Sequence, residues 1–160
     1  MYIDHAATTT IRPEAVAAIR RAWDDANGNA SGTHAVARSA KNALEAAREE
    51  AAELIGADRP DEVVFTSGGT ESDNLAVVGA ALAHEHRGIV VSAIEHKAVL
   101  EAAAALDRFG YRITHAESDD TAVVNPGSVD ALIGPDTAVV SVMAANNELG
   151  TVQPIADIAG

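Results

Sequence analysis

Cysteine is absent from this sequence, so its 160 residues contain no disulfide, no cysteine metal ligand and no thiol nucleophile. Aromatic residues make up only 3% of the chain, and alanine and valine supply most of its apolar side chains. No stretch approaches the roughly 18 continuous apolar residues of a membrane-spanning helix. The first residues, Met1 to His5, lack the basic and apolar segments of a signal peptide. We therefore expect a cytoplasmic protein that does not enter a membrane.

Positive charge is scarce as well. Lysine occurs only at Lys41 and Lys97, and the formal net charge of the chain is −13. Such a charge repels nucleic acid and anionic membranes, so neither is an expected partner. An acidic surface of this kind is typical of proteins adapted to high salt, and it also occurs in ordinary acidic cytoplasmic proteins. We favour the adaptation to high salt because dispersed negative charge keeps a protein soluble there.

Segments with helical and strand-like patterns alternate along the chain. Apolar periodicity, together with proline and glycine at the segment ends, predicts the helices. The predicted helices are 13–26, 34–55, 70–84, 97–109 and 128–133, and the predicted strands are 63–66, 88–92, 111–114 and 137–143. This alternation predicts an α/β fold with a doubly wound, mainly parallel sheet. The strand 137–143 is apolar along its whole length, which is typical of a central strand.

Ligands of doubly wound sheets bind beyond the carboxyl ends of the strands, which directs attention to three loops. The first contains Ser67, Gly68, Gly69 and Thr70 and leads into a helix. Its glycines allow a ligand to approach the backbone, and the helix offers free N–H groups and hydroxyl donors to a phosphate. The same residue types also serve as ordinary helix caps, so this segment alone predicts a phosphate site or a capped helix equally well.

The second and third loops contain polar residues after a predicted strand. His96 stands where it could stack on a flat ring or exchange a proton, although a lone histidine here is more often a cap. Lys97 points about 100° away from His96 around the helix, so we interpret it as a solvated charge. Asn146 and Asn147 could hydrogen-bond a ligand, but taken alone they are more typical of a turn. No histidine shows metal-ligand spacing, and we expect no metal site.

Two further segments carry weaker signals. The residues 5–10 form a polar arm before the first helix, and Gly28 to His34 have the composition of a flexible binding loop. Neither segment predicts a function by itself.

Taken in order, several of these segments resemble one family. The matching motifs are Tyr2-Ile3-Asp4-His5-Ala6-Ala7-Thr8-Thr9, Gly28-Asn29-Ala30-Ser31, Phe65-Thr66-Ser67-Gly68-Gly69-Thr70-Glu71-Ser72-Asp73-Asn74-Leu75-Ala76, Glu95-His96-Lys97-Ala98-Val99-Leu100 and Asn146-Asn147-Glu148-Leu149-Gly150. The sequence resembles the NifS/IscS-type cysteine desulfurases, which are pyridoxal-phosphate (PLP) enzymes within the class V aminotransferases. The resemblance implies part of the large domain of a fold type I PLP-dependent transferase, with an N-terminal helical arm.

The resemblance also implies roles for four residues. Gly69 and Thr70 match the positions that hold the PLP phosphate, and His96 matches the histidine that stacks on the pyridine ring and takes part in proton transfer. Asn147 matches the asparagine that bonds the phenolic oxygen of the cofactor. The family converts L-cysteine to L-alanine and keeps the sulfur as a persulfide for iron–sulfur clusters or tRNA thiolation. Expected partners are a second copy of the chain, as in a homodimer, and a sulfur-acceptor or scaffold protein.

Several functional groups of the family have no counterpart in this sequence. The lysine that binds the cofactor covalently, an aspartate, the catalytic cysteine and a substrate-binding arginine all lie further along the family's chains. We therefore expect an N-terminal portion, 1–160, that has no desulfurase activity alone, because the thiolate is the nucleophile. The alternatives are a non-catalytic module that binds PLP or a protein, and another class V aminotransferase or lyase.

Overall fold

The computed structural model describes residues 1–25 and 27–160, which divide into two units between Phe65 and Thr66. The first unit contains helix α1 (Pro13–Asp25), helix α2 (Ala35–Ile55) and a 3-10 turn (Pro60–Glu62). The second unit contains helices α3 (Gly69–Ala83), α4 (Lys97–Asp107), α5 (Pro126–Leu132) and α6 (Ile155–Ala159), and strands β1 (Gly88–Ser92), β2 (Arg112–Ala116) and β3 (Thr137–Ser141). The predicted end of the first helix at Ala26 lies outside the described residues.

Local capping chemistry sets both ends of the long helix α2. At its start the Nδ1 atom of His34 accepts a hydrogen bond from the Ala37 N–H at 3.2 Å. At its end Gly56 adopts a left-handed conformation with φ of 72°, which a glycine tolerates without strain. The segment from Gly28 to His34 is therefore a helix entry, and a Cβ atom at Gly28 would lie 2.9 Å from the Val36 carbonyl oxygen.

The sheet of the second unit is parallel, with the strand order β2-β1-β3. Every residue of the central strand β1 is buried, and its side chains alternate between the two faces. Ile89 and Val91 pack with the apolar residues of α3 and α4, whereas Val90 packs with Val124 and Val129 on the opposite face. Helices thus cover both faces, which confirms the doubly wound α/β arrangement.

Two strand predictions are wrong. The segment 63–66 forms no strand, because no described segment pairs with it, and Val64 and Phe65 are half exposed or more. The apolar strand 137–143 is shorter, at Thr137–Ser141, and lies at the edge of the sheet rather than at its centre. Its side chains are only partly buried because β1 is its one neighbour among the described strands.

The remaining boundaries differ by a few residues. Helix α3 begins one residue early, at Gly69, and helix α4 ends two residues early, at Asp107. Strand β2 runs to Ala116, and helix α6 has no counterpart among the predicted elements. Among the described residues, none of the helices has both the length and the apolar character that crossing a bilayer requires.

Candidate active site

The path of the chain through the sheet identifies the site. From β1 the chain passes to β2 on one side, and then crosses to β3 on the other side. The loops that leave the carboxyl ends of β1 and β3 therefore diverge, and such a switch point is where doubly wound sheets bind ligands. His96 lies in the loop after β1, and Asn147 lies in the loop after β3.

A cavity of about 300 Å³ lies between these two loops. It is lined by Ile94, Glu95, His96, Lys97, Asn146, Asn147, Glu148 and Leu149. The structure thus brings together His96 and Asn147, which are 51 residues apart in the sequence but line one cavity. Gly69 and Thr70 do not line this cavity.

A backbone contact orients the His96 ring. His96 is the N-cap of α4, and its Nδ1 atom accepts a hydrogen bond from the Ala98 N–H at 3.1 Å. In a neutral imidazole the ring proton then sits on Nε2, which can donate to a ligand. The capping interpretation and the ligand-binding interpretation are therefore compatible, because they use different faces and atoms of the same ring.

The two asparagines perform different tasks. The amide nitrogen of Asn146 donates to the Ile94 carbonyl at 3.0 Å, and its Oδ1 accepts from the N–H groups of Glu148 and Leu149. Asn146 therefore forms the turn and ties it to the loop of His96. The Asn147 side chain is exposed and, within the described residues, makes no hydrogen bond, so its amide is available to a ligand.

The start of α3 offers N–H groups next to open space. A Cβ atom built on Gly68 or Gly69 would meet no atom within 4 Å, so a ligand can approach the backbone here. The N–H groups of the first helical turn, the helix dipole and the exposed Thr70 side chain together suit a phosphate.

In this structure the Ser67 hydroxyl, which the sequence predicts as a phosphate donor, is engaged by a carboxylate. The Ser67 N–H and the Ser67 hydroxyl both donate to Glu71 Oε2, each at 2.6 Å. These hydrogen bonds, the one from the hydroxyl first, lower the pKa of the Glu71 carboxyl. Glu71, the third residue of the helix, therefore occupies both donors of Ser67, which lies one residue before the N-cap Gly68.

Sequence reasoning missed Glu95, whose carboxylate supports the cavity. Glu95 is only 9% exposed, and burial raises the pKa of its carboxyl, while surrounding hydrogen-bond donors partly offset this rise. An acidic residue between an apolar strand and a helix start was the available signal. It gave no prediction because acidic residues usually face water.

Lys97 borders the cavity, but its ammonium points elsewhere. Its Nζ atom lies 3.4 Å from Glu101 Oε1, one helical turn away, and both side chains are largely exposed. This arrangement agrees with the interpretation of Lys97 as a solvated charge.

The first unit has a groove of similar size, about 290 Å³, which is lined by Ile19, Arg20, Trp23 and Asp24 and lacks a comparable convergence of loop ends.

Comparison with known proteins identifies the family. The sequence profile described as "Aminotransferase class-V" matches residues 1–160. The chain belongs to the class V aminotransferase family. Its curated relatives include cysteine desulfurases IscS of Anaeromyxobacter sp. (strain K), 47% identical over 99% of this chain, and of Dictyoglomus turgidum, 41% identical over 99%. Each of these alignments covers 40% of the relative, so the chain spans about two fifths of their length.

Solved structures give the same answer for the fold. A NifS-like protein superposes with a TM-score of 0.93 at 35% identity, over 99% of this chain and 44% of its own. A structure titled "SspA in complex with cysteine" gives 0.89 at 37% identity, over 98% of this chain and 46% of its own. The chain therefore has the fold of NifS-like cysteine desulfurases, and the enzymes of this family are PLP-dependent.

The residues of this class V chain fit that cofactor chemically. An exposed imidazole with a free Nε2 suits a flat aromatic ring, and an amide without internal partners suits its phenolic oxygen. The open glycine backbone at the start of α3 suits a phosphate. All the described groups that the fit requires lie in the second unit, Thr66–Gly160.

Proposed function

We propose that this chain supplies part of the cofactor cradle of a PLP-dependent cysteine desulfurase. The observation that carries the proposal is the cavity at the switch point, which His96 and Asn147 both line. In this proposal His96 stacks on the cofactor ring, Asn147 binds its phenolic oxygen, and Gly69 and Thr70 hold its phosphate. When bound, PLP withdraws electrons from a substrate carbon and so supplies the chemistry that side chains lack.

The residues of the cradle would bind and orient rather than react. The N–H groups of the first turn of α3 lie next to the space above Gly68 and Gly69, where a dianionic phosphate gains from the helix dipole. His96 could move a proton through Nε2 only, because Nδ1 is engaged by the Ala98 N–H.

PLP binding by the purified chain tests the proposal. We expect saturable binding, seen as a change in the absorbance of the cofactor, and weaker binding of pyridoxal, which lacks the phosphate. His96→Gln should weaken PLP binding roughly fivefold, since aromatic stacking contributes about 1 kcal/mol. His115→Gln is the matched control, because His115 lies exposed on β2 and does not line the cavity. Equal losses in the two variants, or no binding by the unmodified chain, would contradict the proposal.

The full reaction belongs to a longer protein in this proposal. The chain would be the N-terminal portion of the large domain, and the whole enzyme would take sulfur from L-cysteine and pass it to iron–sulfur cluster or tRNA thiolation partners as a homodimer. The extent of the relatives supports this view, because this chain matches about two fifths of each. Reading the gene beyond codon 160 tests it: an in-frame lysine motif and a later cysteine are expected.

The isolated chain should release no sulfide from L-cysteine, even when PLP is supplied. It has no cysteine to carry the sulfur, and the ammonium of Lys97 is paired with Glu101. A sulfide assay with L-cysteine and the pure chain checks this, and protein-dependent sulfide would overturn it.

A non-catalytic module that binds PLP or a protein is the second candidate function. The exposed apolar pair Val64 and Phe65, which no described strand covers, favours contact with another protein segment. A stop codon directly after Gly160, together with PLP binding, would favour this candidate.

A further inference from the structure

Glu95 is the one acidic side chain among the buried residues that the structure describes. A buried carboxylate is costly unless hydrogen-bond donors compensate for the lost water. The roles proposed above for His96, Asn147, Gly69 and Thr70 leave Glu95 without a task, although it lines the same cavity as His96 and Asn147.

The donors around Glu95 come from both strands at the switch point. The Ser141 hydroxyl, at the end of β3, donates to Glu95 Oε1 at 3.3 Å. The Ser92 hydroxyl, at the end of β1, is buried beside the carboxylate and lowers the Glu95 pKa, although its geometry falls short of a regular hydrogen bond. The backbone N–H groups of Met143 and His96 also lie near this carboxylate and lower its pKa, although neither contact has the geometry of a regular hydrogen bond.

These four donors stand where the two loops of the cavity begin. His96 itself carries one proposed ligand-binding side chain, and Met143 lies in the segment that leads from β3 to Asn147. The hydrogen bond from Asn146 to the Ile94 carbonyl joins the same two loops at a second point. Glu95 thus lies where the His96 loop and the Asn147 loop leave their strands.

We propose that Glu95 is the positioning residue that fixes His96 relative to Asn147 by bridging the carboxyl ends of β1 and β3. The inference rests on the proposed function, since it holds that the relative position of His96 and Asn147 serves to bind the cofactor. Glu95 does not touch the cofactor in this proposal and acts only through its contacts with the carboxyl ends of β1 and β3.

The chemistry of the donors requires a carboxylate. Two backbone N–H groups cannot rotate away or become acceptors, whereas glutamine keeps one acceptor oxygen and turns an NH₂ group toward donors. Glu95→Gln should therefore release the N–H of His96 or of Met143. Hydrogen bonds to charged groups are strong enough that such a loss changes local opening about tenfold or more.

The first measurement is made on the chain without cofactor. In Glu95→Gln we expect the amide hydrogens of His96 and Met143 to exchange at least about tenfold faster, with those of Ile89 and Val91 unchanged. We also expect the ¹⁵N shifts of the His96 ring to move while those of His115 do not. A residue that served general stability alone would leave the His96 ring signals in place as long as the chain stays folded.

The second measurement is PLP affinity. We expect Glu95→Gln to bind PLP about tenfold more weakly than the unmodified chain. If the unmodified chain binds PLP and Glu95→Gln binds it equally with unchanged His96 signals, the positioning role is wrong while the proposed function stands. If the unmodified chain binds no PLP, the proposed function fails, and the exchange rates and ring shifts still decide whether Glu95 positions His96.

Ser141→Ala covers the case in which Glu95→Gln does not fold. It removes one donor from the carboxylate and leaves the other three in place. We expect a shift of the His96 ring signals in the same direction and a smaller increase in exchange at His96 and Met143. Unchanged His96 signals in a folded Ser141→Ala variant would overturn the proposal.

Discussion

Single residues in this chain divide between those that hold the backbone and those that face the cavity. The Asn146 amide forms hydrogen bonds within the turn and to the His96 loop, whereas the amide of the neighbouring Asn147 is available to a ligand. His96 combines both tasks on one ring, through Nδ1 and Nε2. Adjacent residues of the same type therefore differ in role because their side chains leave the loop in different directions.

The pKa values of Glu71 and Glu95 should be shifted in opposite directions from the ordinary value of a glutamate side chain. The pKa of Glu71 is lowered by the side-chain and backbone hydrogen bonds from Ser67, and that of Glu95 is raised by burial. A ¹³C NMR titration of the carboxyl carbons should place the pKa of Glu71 below and that of Glu95 above the ordinary value of a glutamate side chain. A reversed order would show that these hydrogen bonds or this burial do not persist in solution.

The two shifts have opposite consequences for stability. Because the folded-state pKa of Glu71 is depressed, its contribution is present above the unfolded pKa and is lost as pH falls through the folded value. Because the folded-state pKa of Glu95 is raised, the folded chain binds its proton more tightly, so this carboxyl costs stability as pH rises through the window between its two pKa values. Replacing either residue by glutamine should remove its share of the pH dependence.

Helices and their ends follow from local chemistry at the scale of elements. The start of α2 at the cap His34 and its end at Gly56 depend on residues close in sequence, which is why they were predictable. Strand β1 was predicted at its observed bounds because it is apolar and flanked by helices. The segment 63–66 has a similar apolar pattern but pairs with no other segment that the structure describes, so it remains irregular.

Gly88 and Gly79 provide a matched pair for testing the packing of elements. A Cβ atom at Gly88 would lie 2.9 Å from the Asp136 carbonyl oxygen and 3.2 Å from Thr137 Cα, both backbone atoms of the neighbouring strand and its approach. Gly88→Ala should reduce the free energy of unfolding by about 1 to 3 kcal/mol. Denaturant unfolding monitored by circular dichroism measures this change.

Gly79→Ala is the control for that substitution. Gly79 lies exposed within α3, and the nearest atom to its added Cβ is Leu75 Cδ1 at 3.9 Å. Alanine favours a helix over glycine, so this variant should gain about 0.5 to 1 kcal/mol. A loss in Gly79→Ala as large as that in Gly88→Ala would show that the clash at the sheet is not the cause.

Amide exchange should separate the unpaired segment from the central strand. Within the described residues, the N–H groups of Val64, Phe65 and Thr66 have no hydrogen-bond acceptor, whereas β1 has strands on both sides. We expect rapid exchange at 64–66 and protection at 89–91 by several orders of magnitude. Strong protection at 64–66 would reveal a partner strand in solution, from a second copy of the chain.

Charge is the property that acts at the scale of the whole molecule. The net charge of −13 on 160 residues makes the folded chain repel itself, and dissolved salt screens that repulsion. This effect belongs to the surface as a whole and does not depend on any one ion pair.

Salt should therefore stabilise the chain at pH 7. Raising NaCl from about 0.02 M to about 0.5 M shortens the screening length severalfold, and we expect the thermal unfolding midpoint to rise by several degrees. Sorbitol at equal osmolality is the control, because it changes water activity without screening charge. An equal rise in sorbitol, or a fall in salt, would contradict the screening explanation and weaken the inferred adaptation to high salt.

The sequence alone determined the α/β class, both ends of α2 and the resemblance to the class V family, because these depend on composition, periodicity and short motifs. That resemblance in turn named the four candidate cofactor residues. Only the tertiary structure decided which strands pair, that His96 and Asn147 share one cavity, and that Ser67 is taken by Glu71. It also revealed the buried carboxylate of Glu95. Strand pairing, burial and hydrogen-bond competition depend on groups far apart in the chain, and no local pattern records them.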